Sequence, residues 1–185
     1  MTTFQLDKDA FSNGQIASKI WLCEELEKHI HTIDNIWIYG GWYGLTAFLL
    51  RVRGNMKIGK IHSFDIDPAC EPVADMINEN WVFDNWKFKA FTKDCNLLST
   101  PEEVDLVVNT STEHFENLSW FKNISHGTWV VLQGADMKHD DHVYKFDNLV
   151  DFARTFKLET VLYSGQKKFY YPDWDFTRYM LIGIK

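Results

Sequence analysis

The feature that most constrains this chain is the junction in NIWIYGGWYGLTAFLLRVRGN, residues 35–55. A short apolar run rich in β-formers stops at Gly40-Gly41, with Gly44 three residues further on. The next residues, Leu45 to Arg53, read as a helix that Gly54-Asn55 ends. Glycines at such a junction let the backbone turn sharply and approach a ligand, and the following helix brings its positive end to the same place. A second strand, KIHSFDID, reaches Asp65, which lies 21 residues past Gly44 (65 − 44). That is close to the ~20-residue distance at which an acid meets ribose hydroxyls in nucleoside-binding sheets.

The alternation continues along the chain. Ile16, Ile20, Cys23, Leu26 and Ile30 recur at helical spacing from about Asn13 to about Ile30, with Ser12 or Asn13 as the N-cap. Pro68 suits the first turn of a helix running to about Asn80. WKFKAFT is a third strand leading to Asp94, VDLVVNTS a fourth and TWVVLQGAD a fifth. DNLVDFARTF is a helix, and TVLYSGQKKF with RYMLIGI reads as a closing hairpin. Strand and helix in turn predict an α/β fold, a three-layer αβα Rossmann-like sandwich. Its sheet is expected to be seven-stranded and mostly parallel, with an antiparallel C-terminal strand. No repeat or linker interrupts the chain, so residues 1–185 are read as one domain, with 1–32 as an N-terminal helical cap segment.

Composition narrows the function. The formal charge of −7, without a basic stripe, disfavours a nucleic-acid partner. No run approaches the ~20 apolar residues that span a bilayer, and MTTFQLDKDAFSNGQ has no apolar signal core, so a cytoplasmic, membrane-free protein is expected. Cys23, Cys70 and Cys95 form no CxxC pair and are read as free thiols. Eight Trp among 16% aromatics are read mainly as core and interface filler.

Two nucleotide signatures fail. G-x-G-x-x-G started at Gly40 meets Trp42 and Leu45, and started at Gly41 it meets Tyr43 and Thr46; no G-x-x-x-x-G-K-[ST] loop is present. What IWIYGGWYGLTAFLL followed by IHSFDIDPACEPVADMINEN resembles is motifs I and II of class I S-adenosylmethionine (SAM) dependent methyltransferases. The resemblance runs from about Asn35 to the C-terminus. It puts Gly40 and Gly44 on the outer glycines of that family's G-x-G-x-G loop, flanking Gly41 and Trp42. It implies that Asp65 holds the ribose diol of SAM, that Asp94 lies near the adenine amino group, and that DLVVNTSTEH, with Asn109, stands in the motif IV position. Two positions depart from the pattern: Trp42 replaces the middle glycine, and Ile38 replaces the usual acid two residues before the first. The Trp42 ring either narrows the methionine end of the pocket or turns away over the helix.

The implied activity is methylation of a small-molecule acceptor. Methyl transfer needs alignment and, for poor nucleophiles, a general base. Glu113 and His114, an adjacent carboxylate and imidazole after the fourth strand, are the candidate catalytic pair; the plainer alternative makes Glu113 the cap of a short helix from Thr112. Gln133 and Asp136 are candidates for contacting a substrate amine, or else turn residues. His139-Asp140-Asp141-His142 is read as a solvated loop, so no metal site is expected. Asn13 or Gln15 is placed where an N-terminal segment would fold over the ligand, and the aromatic run Phe169–Trp174 is a candidate homodimer contact. SAM chemistry other than methyl transfer (a lyase, or aminocarboxypropyl transfer) and a non-catalytic SAM-fold subunit are the alternatives.

Overall fold

The computed structural model describes residues 6–137 and 142–185. Seven strands among them form one sheet: β1 (Thr32–Tyr39), β2 (Lys57–Asp65), β3 (Phe88–Thr92), β4 (Leu106–Asn109), β5 (Trp129–Ala135), β6 (Thr160–Tyr170) and β7 (Asp175–Ile184). Their order is β3-β2-β1-β4-β5-β7-β6. The first five run parallel, and β7 lies antiparallel to both β5 and β6. The winding direction changes between β1 and β4, which makes their carboxyl ends the switch point where such sheets bind ligands.

Helices cover both faces: α1 (Asn13–Leu26), α2 (Leu45–Val52), α3 (Cys70–Ile77), α4 (Glu79–Val82), α5 (Ser119–Lys122) and α6 (Leu149–Thr155). The two-residue alternation of strand side chains sorts the core into two layers. Ile36, Ile38, Val108, Val131 and Ile182 pack with Trp21, Leu22 and Leu26 of α1 and Ala47 and Leu50 of α2. On the other face Tyr39, Val107, Val130, Leu132 and Leu181 pack with Trp120, Phe152 and Phe156. Trp120 is fully buried, so filling the core is its role.

Several boundaries differ from expectation. α1 ends at Leu26, before Ile30. The helix expected from Pro68 to Asn80 is two helices after a turn. Asp67 Oδ1 accepts from the Ala69 N–H, and α3 begins only at Cys70. Asn78 then interrupts it: its side-chain amide donates to the carbonyls of Ala74 and Gly44, at 3.0 and 3.2 Å, in competition with the helical ladder. β7 begins at Asp175, three residues before RYMLIGI. β6 is an edge strand with a bulge between Val161 and Tyr163 and with Lys167 and Lys168 exposed.

Candidate functional site

The glycine loop is wound as a ligand-binding turn. Gly40, Trp42 and Gly44 have φ of 62°, 47° and 73°, in the left-handed region where side chains are unfavourable. A Cβ on Gly40 would come 2.8 Å from Ser111 Oγ, and one on Gly44 2.7 Å from Asn78 Nδ2. Both glycines are therefore demanded by conformation, and a side chain at either would also displace a neighbouring polar group. Trp42 takes the same conformation with a side chain, which packs with Tyr43, 5.5 Å between rings, on the small cluster of Ala10, Cys70 and Val73. The N-terminal segment reaches this loop: Phe11 stacks on Tyr43 at 6.3 Å, and the Asp7 N–H donates to the Tyr43 hydroxyl.

Asp65, at the end of β2, sits directly beneath the loop. Its Oδ2 accepts from the Trp42 N–H at 2.8 Å and its Oδ1 from the Asp67 N–H at 3.1 Å. A carboxylate offers about four lone-pair positions, so each oxygen keeps capacity for a hydroxyl. Asp94 Oδ1 accepts from the Asn96 N–H at 2.9 Å, capping a 3-10 turn over Cys95–Leu97, and the residue is half-buried. Burial pushes the neighbouring Cys95 thiol up to about 12, which removes it as a nucleophile at neutral pH.

The end of β4 is joined to the loop by Ser111, whose hydroxyl donates to the Gly40 carbonyl at 3.2 Å. Asn109 is fully buried; its Oδ1 accepts from the Ser111 N–H, and its Nδ2 has no hydrogen-bond partner among the described residues. Thr112–His114 forms a 3-10 turn that buries Glu113 and leaves His114 exposed. Glu113 Oε1 stands 3.8 Å from Arg178 Nη1, and Oε2 is buried without a hydrogen-bond partner. Arg178 also donates to the Thr110 carbonyl at 3.2 Å.

Lys19 of α1 joins this cluster. It is 7% exposed and donates to Gln15 Oε1 at 2.6 Å. Burial, helped by the Arg178 charge, pushes its ammonium down to about 7, while Glu113 and Asp9 pull the other way. Gln133 of β5 anchors the helix above: its amide donates to the Ser18 carbonyl at 3.0 Å, and its Oε1 is buried and unpartnered.

Other candidates take quieter roles. Asp136 accepts from the Thr177 N–H at 2.7 Å, which is turn chemistry at the end of β5. Gln15 holds Lys19, and Asn13 is the first residue of α1 behind its Ser12 cap. Of His139-Asp140-Asp141-His142, the first three lie outside the described residues. His142 is buried beside Glu113, whose carbonyl accepts from the N–H groups of Val143 and Tyr144. In the aromatic run, Tyr171 and Trp174 stack at 4.4 Å, with Tyr171 against Gly14. A broad open groove of about 1030 Å³ lined by His29, His31, Asp105 and His126 lies at the amino ends of the strands, away from the switch point.

Lys19 and Arg178 were not singled out from the sequence, and His142, read there as part of a solvated loop, is buried. Lys19 does leave a trace there, since it shares the buried stripe of α1 with Leu22 and Leu26 at helical spacing.

No family profile and no curated protein sequence matches the chain. Among solved structures, the arrangement is that of class I SAM-dependent methyltransferases, and the chain has their fold. The N-methyltransferase NodS from Bradyrhizobium japonicum WM9, solved with S-adenosyl-L-homocysteine, superposes with a TM-score of 0.67 at 14% identity, over 94% of this chain and 87% of that one. Magnesium protoporphyrin IX methyltransferase (ChlM) from Synechocystis PCC 6803, also solved with S-adenosyl-L-homocysteine, gives 0.67 at 10% identity, over 98% and 90%. No helix of the described residues is long and apolar enough to cross a membrane.

Proposed function

We propose that the chain is a SAM-dependent methyltransferase acting on a small-molecule acceptor, with residues 1–185 working as one domain. The observation that carries this reading is the closure of the left-handed Gly40–Gly44 loop onto Asp65 at the switch point. Neighbouring folds crystallised with S-adenosyl-L-homocysteine support it.

The residues present suit the ligand. The loop and the start of α2 would hold its methionine part. The spare lone pairs of Asp65 would take the ribose diol, and Asp94 would stand near the adenine. The unpartnered Nδ2 of Asn109 supplies a buried donor that a bound ligand would satisfy. Two positions argue for a modified pocket: Ile38 is buried and offers no partner for the ligand's amino group, and the Trp42 ring rests on the Ala10–Cys70–Val73 cluster.

Bound SAM supplies an electrophilic methyl on its sulfonium. The chain's own task is alignment and handling of the acceptor's proton. Glu113 and His114 flank the acceptor side: Glu113 accepts a hydrogen bond from an acceptor hydroxyl or amine, and His114 takes its proton. Arg178 and Lys19 stand behind Glu113, and α1 screens the pocket from water. A cytoplasmic setting fits three cysteines that are all free and buried. A homodimer contact through the aromatic segment would use Tyr170 and Trp174, which are 75% and 48% exposed.

The test is to incubate the protein with SAM and a panel of small-molecule acceptors and identify the adenosyl product by mass spectrometry. S-adenosylhomocysteine is expected. Methylthioadenosine would instead assign lyase or aminocarboxypropyl chemistry, and failure to bind SAM at millimolar concentration would overturn the reading.

A further inference from the structure

Three potential metal ligands converge at the end of β4, two from the Thr112–His114 turn and one from a segment 28 positions further on (142 − 114). One carboxylate oxygen of Glu113 and one ring nitrogen each of His114 and His142 lie within 4.8 Å of one another. The two rings stand 4.6 Å apart and nearly perpendicular, at 86°. Because the Val143 and Tyr144 N–H groups both donate to the Glu113 carbonyl, at 2.8 and 3.1 Å, the backbone itself pins His142 beside Glu113.

Two further observations point to a ligand. Glu113 is 2% exposed, and its Oε2 has no hydrogen-bond partner. A buried carboxylate oxygen left in that state carries a desolvation cost that a cation would offset. His142 Nδ1 lies 2.7 Å from the Met137 carbonyl, which can only accept, so Nδ1 carries the proton. In the neutral ring the lone pair is then on Nε2. Fixing the tautomer in this way, through a backbone carbonyl, is the support that metal-binding histidines usually have.

We propose that Glu113, His114 and His142 form a binding site for a divalent transition-metal ion such as Zn²⁺ or Mn²⁺. Two imidazoles and a carboxylate suit these ions better than Mg²⁺ or Ca²⁺, which take oxygen ligands. Bonds of about 2.0–2.2 Å place ligand atoms roughly 3–3.5 Å apart, so modest side-chain rotation closes the set. Three protein ligands leave positions open, as catalytic metal sites do. This departs from the sequence expectation of no metal, which had weighed only the His139–His142 run. The ion's role, though not its binding, rests on the methyltransferase reading above: it would hold an acceptor oxygen at the end of β4 and lower its pKa, with Glu113 and His114 as ligands in place of a base.

The experiment uses the full chain, stripped with a chelator and dialysed, and titrates Zn²⁺ or Mn²⁺ by calorimetry with a parallel melting curve. One equivalent of at least one of these ions is expected, with a raised Tm. His114→Ala, an exposed position that leaves the core intact, should weaken binding more than ~10-fold. His142→Ala should do the same, checked for folding by circular dichroism. His126→Ala, in the groove at the opposite end, should leave the equivalent intact. No stoichiometric binding of either ion overturns the site, and so does an equivalent lost with His126 and kept without His114. SAM binding measured on the same stripped protein keeps the two readings apart, since it does not depend on the ion.

Discussion

Asp65 holds in place the loop it is proposed to serve: its Oδ2 takes the Trp42 N–H at 2.8 Å, across the gap between the ends of β1 and β2. The carboxylate is thus partly committed before any ligand arrives. Asp65→Ala should therefore lower SAM affinity by roughly 10- to 200-fold, the effect of losing a charge-assisted hydrogen bond of about 1.5–3 kcal/mol. It should also lower the Tm, because the loop loses its anchor. Calorimetry with a melting curve checks both; unchanged affinity in a folded variant would remove Asp65 from the ribose.

Trp42 occupies a backbone conformation in which a side chain costs about 1–2 kcal/mol. Removing the ring loses its packing in either replacement, but only glycine also relieves the backbone. Trp42→Gly should therefore be more stable than Trp42→Ala by about 1 kcal/mol, read from chemical denaturation of the two variants. Equal stabilities would show that the φ of 47° costs nothing.

At the acceptor side, Glu113→Gln and His114→Asn should each lower turnover by about 10²- to 10⁴-fold while SAM affinity stays nearly unchanged. Glu113 lies inside the Thr112–His114 turn and makes no capping bond to it, so the plainer role left to it is the buried contact with Arg178, and then its loss lowers the Tm while turnover survives. Turnover, affinity and Tm measured together separate these outcomes.

Lys19 should make stability pH-dependent. Its ammonium titrates near 7 in the fold against an ordinary 10.5, so between those values the unfolded chain binds the extra proton. Stability from this group then rises with pH through that window, and below about 7 the cost of charging it while buried is constant. Lys19→Met should accordingly raise the Tm most at pH 6, with the advantage shrinking by pH 10. An advantage that does not change with pH would show that Lys19 titrates normally.

The fold was largely legible because a parallel sheet writes itself as apolar runs that end at polar residues, and Gly40, Asp65 and Asn109 each end such a run. Helix bounds were less so: nothing local warns that the Asn78 amide will leave its own helix for the Gly44 carbonyl, 34 positions back. The glycine loop and Asp65 were legible from spacing, although the sequence does not show that Trp42 takes the left-handed turn. The Lys19–Glu113–Arg178 cluster was not, nor was the convergence of His142 on Glu113, since up to 159 positions (178 − 19) separate these residues and only tertiary packing unites them.

The bulge near Leu162 and the paired lysines of β6 have a consequence for how copies of this chain meet. An open strand edge of eleven residues would otherwise be a template for zipping one sheet onto the next. The irregular register and the charged side chains of Lys167 and of Lys168, which pairs with Asp175 at 3.0 Å, spoil that template. Concentrated protein should therefore stay free of fibrous, sheet-to-sheet growth along β6.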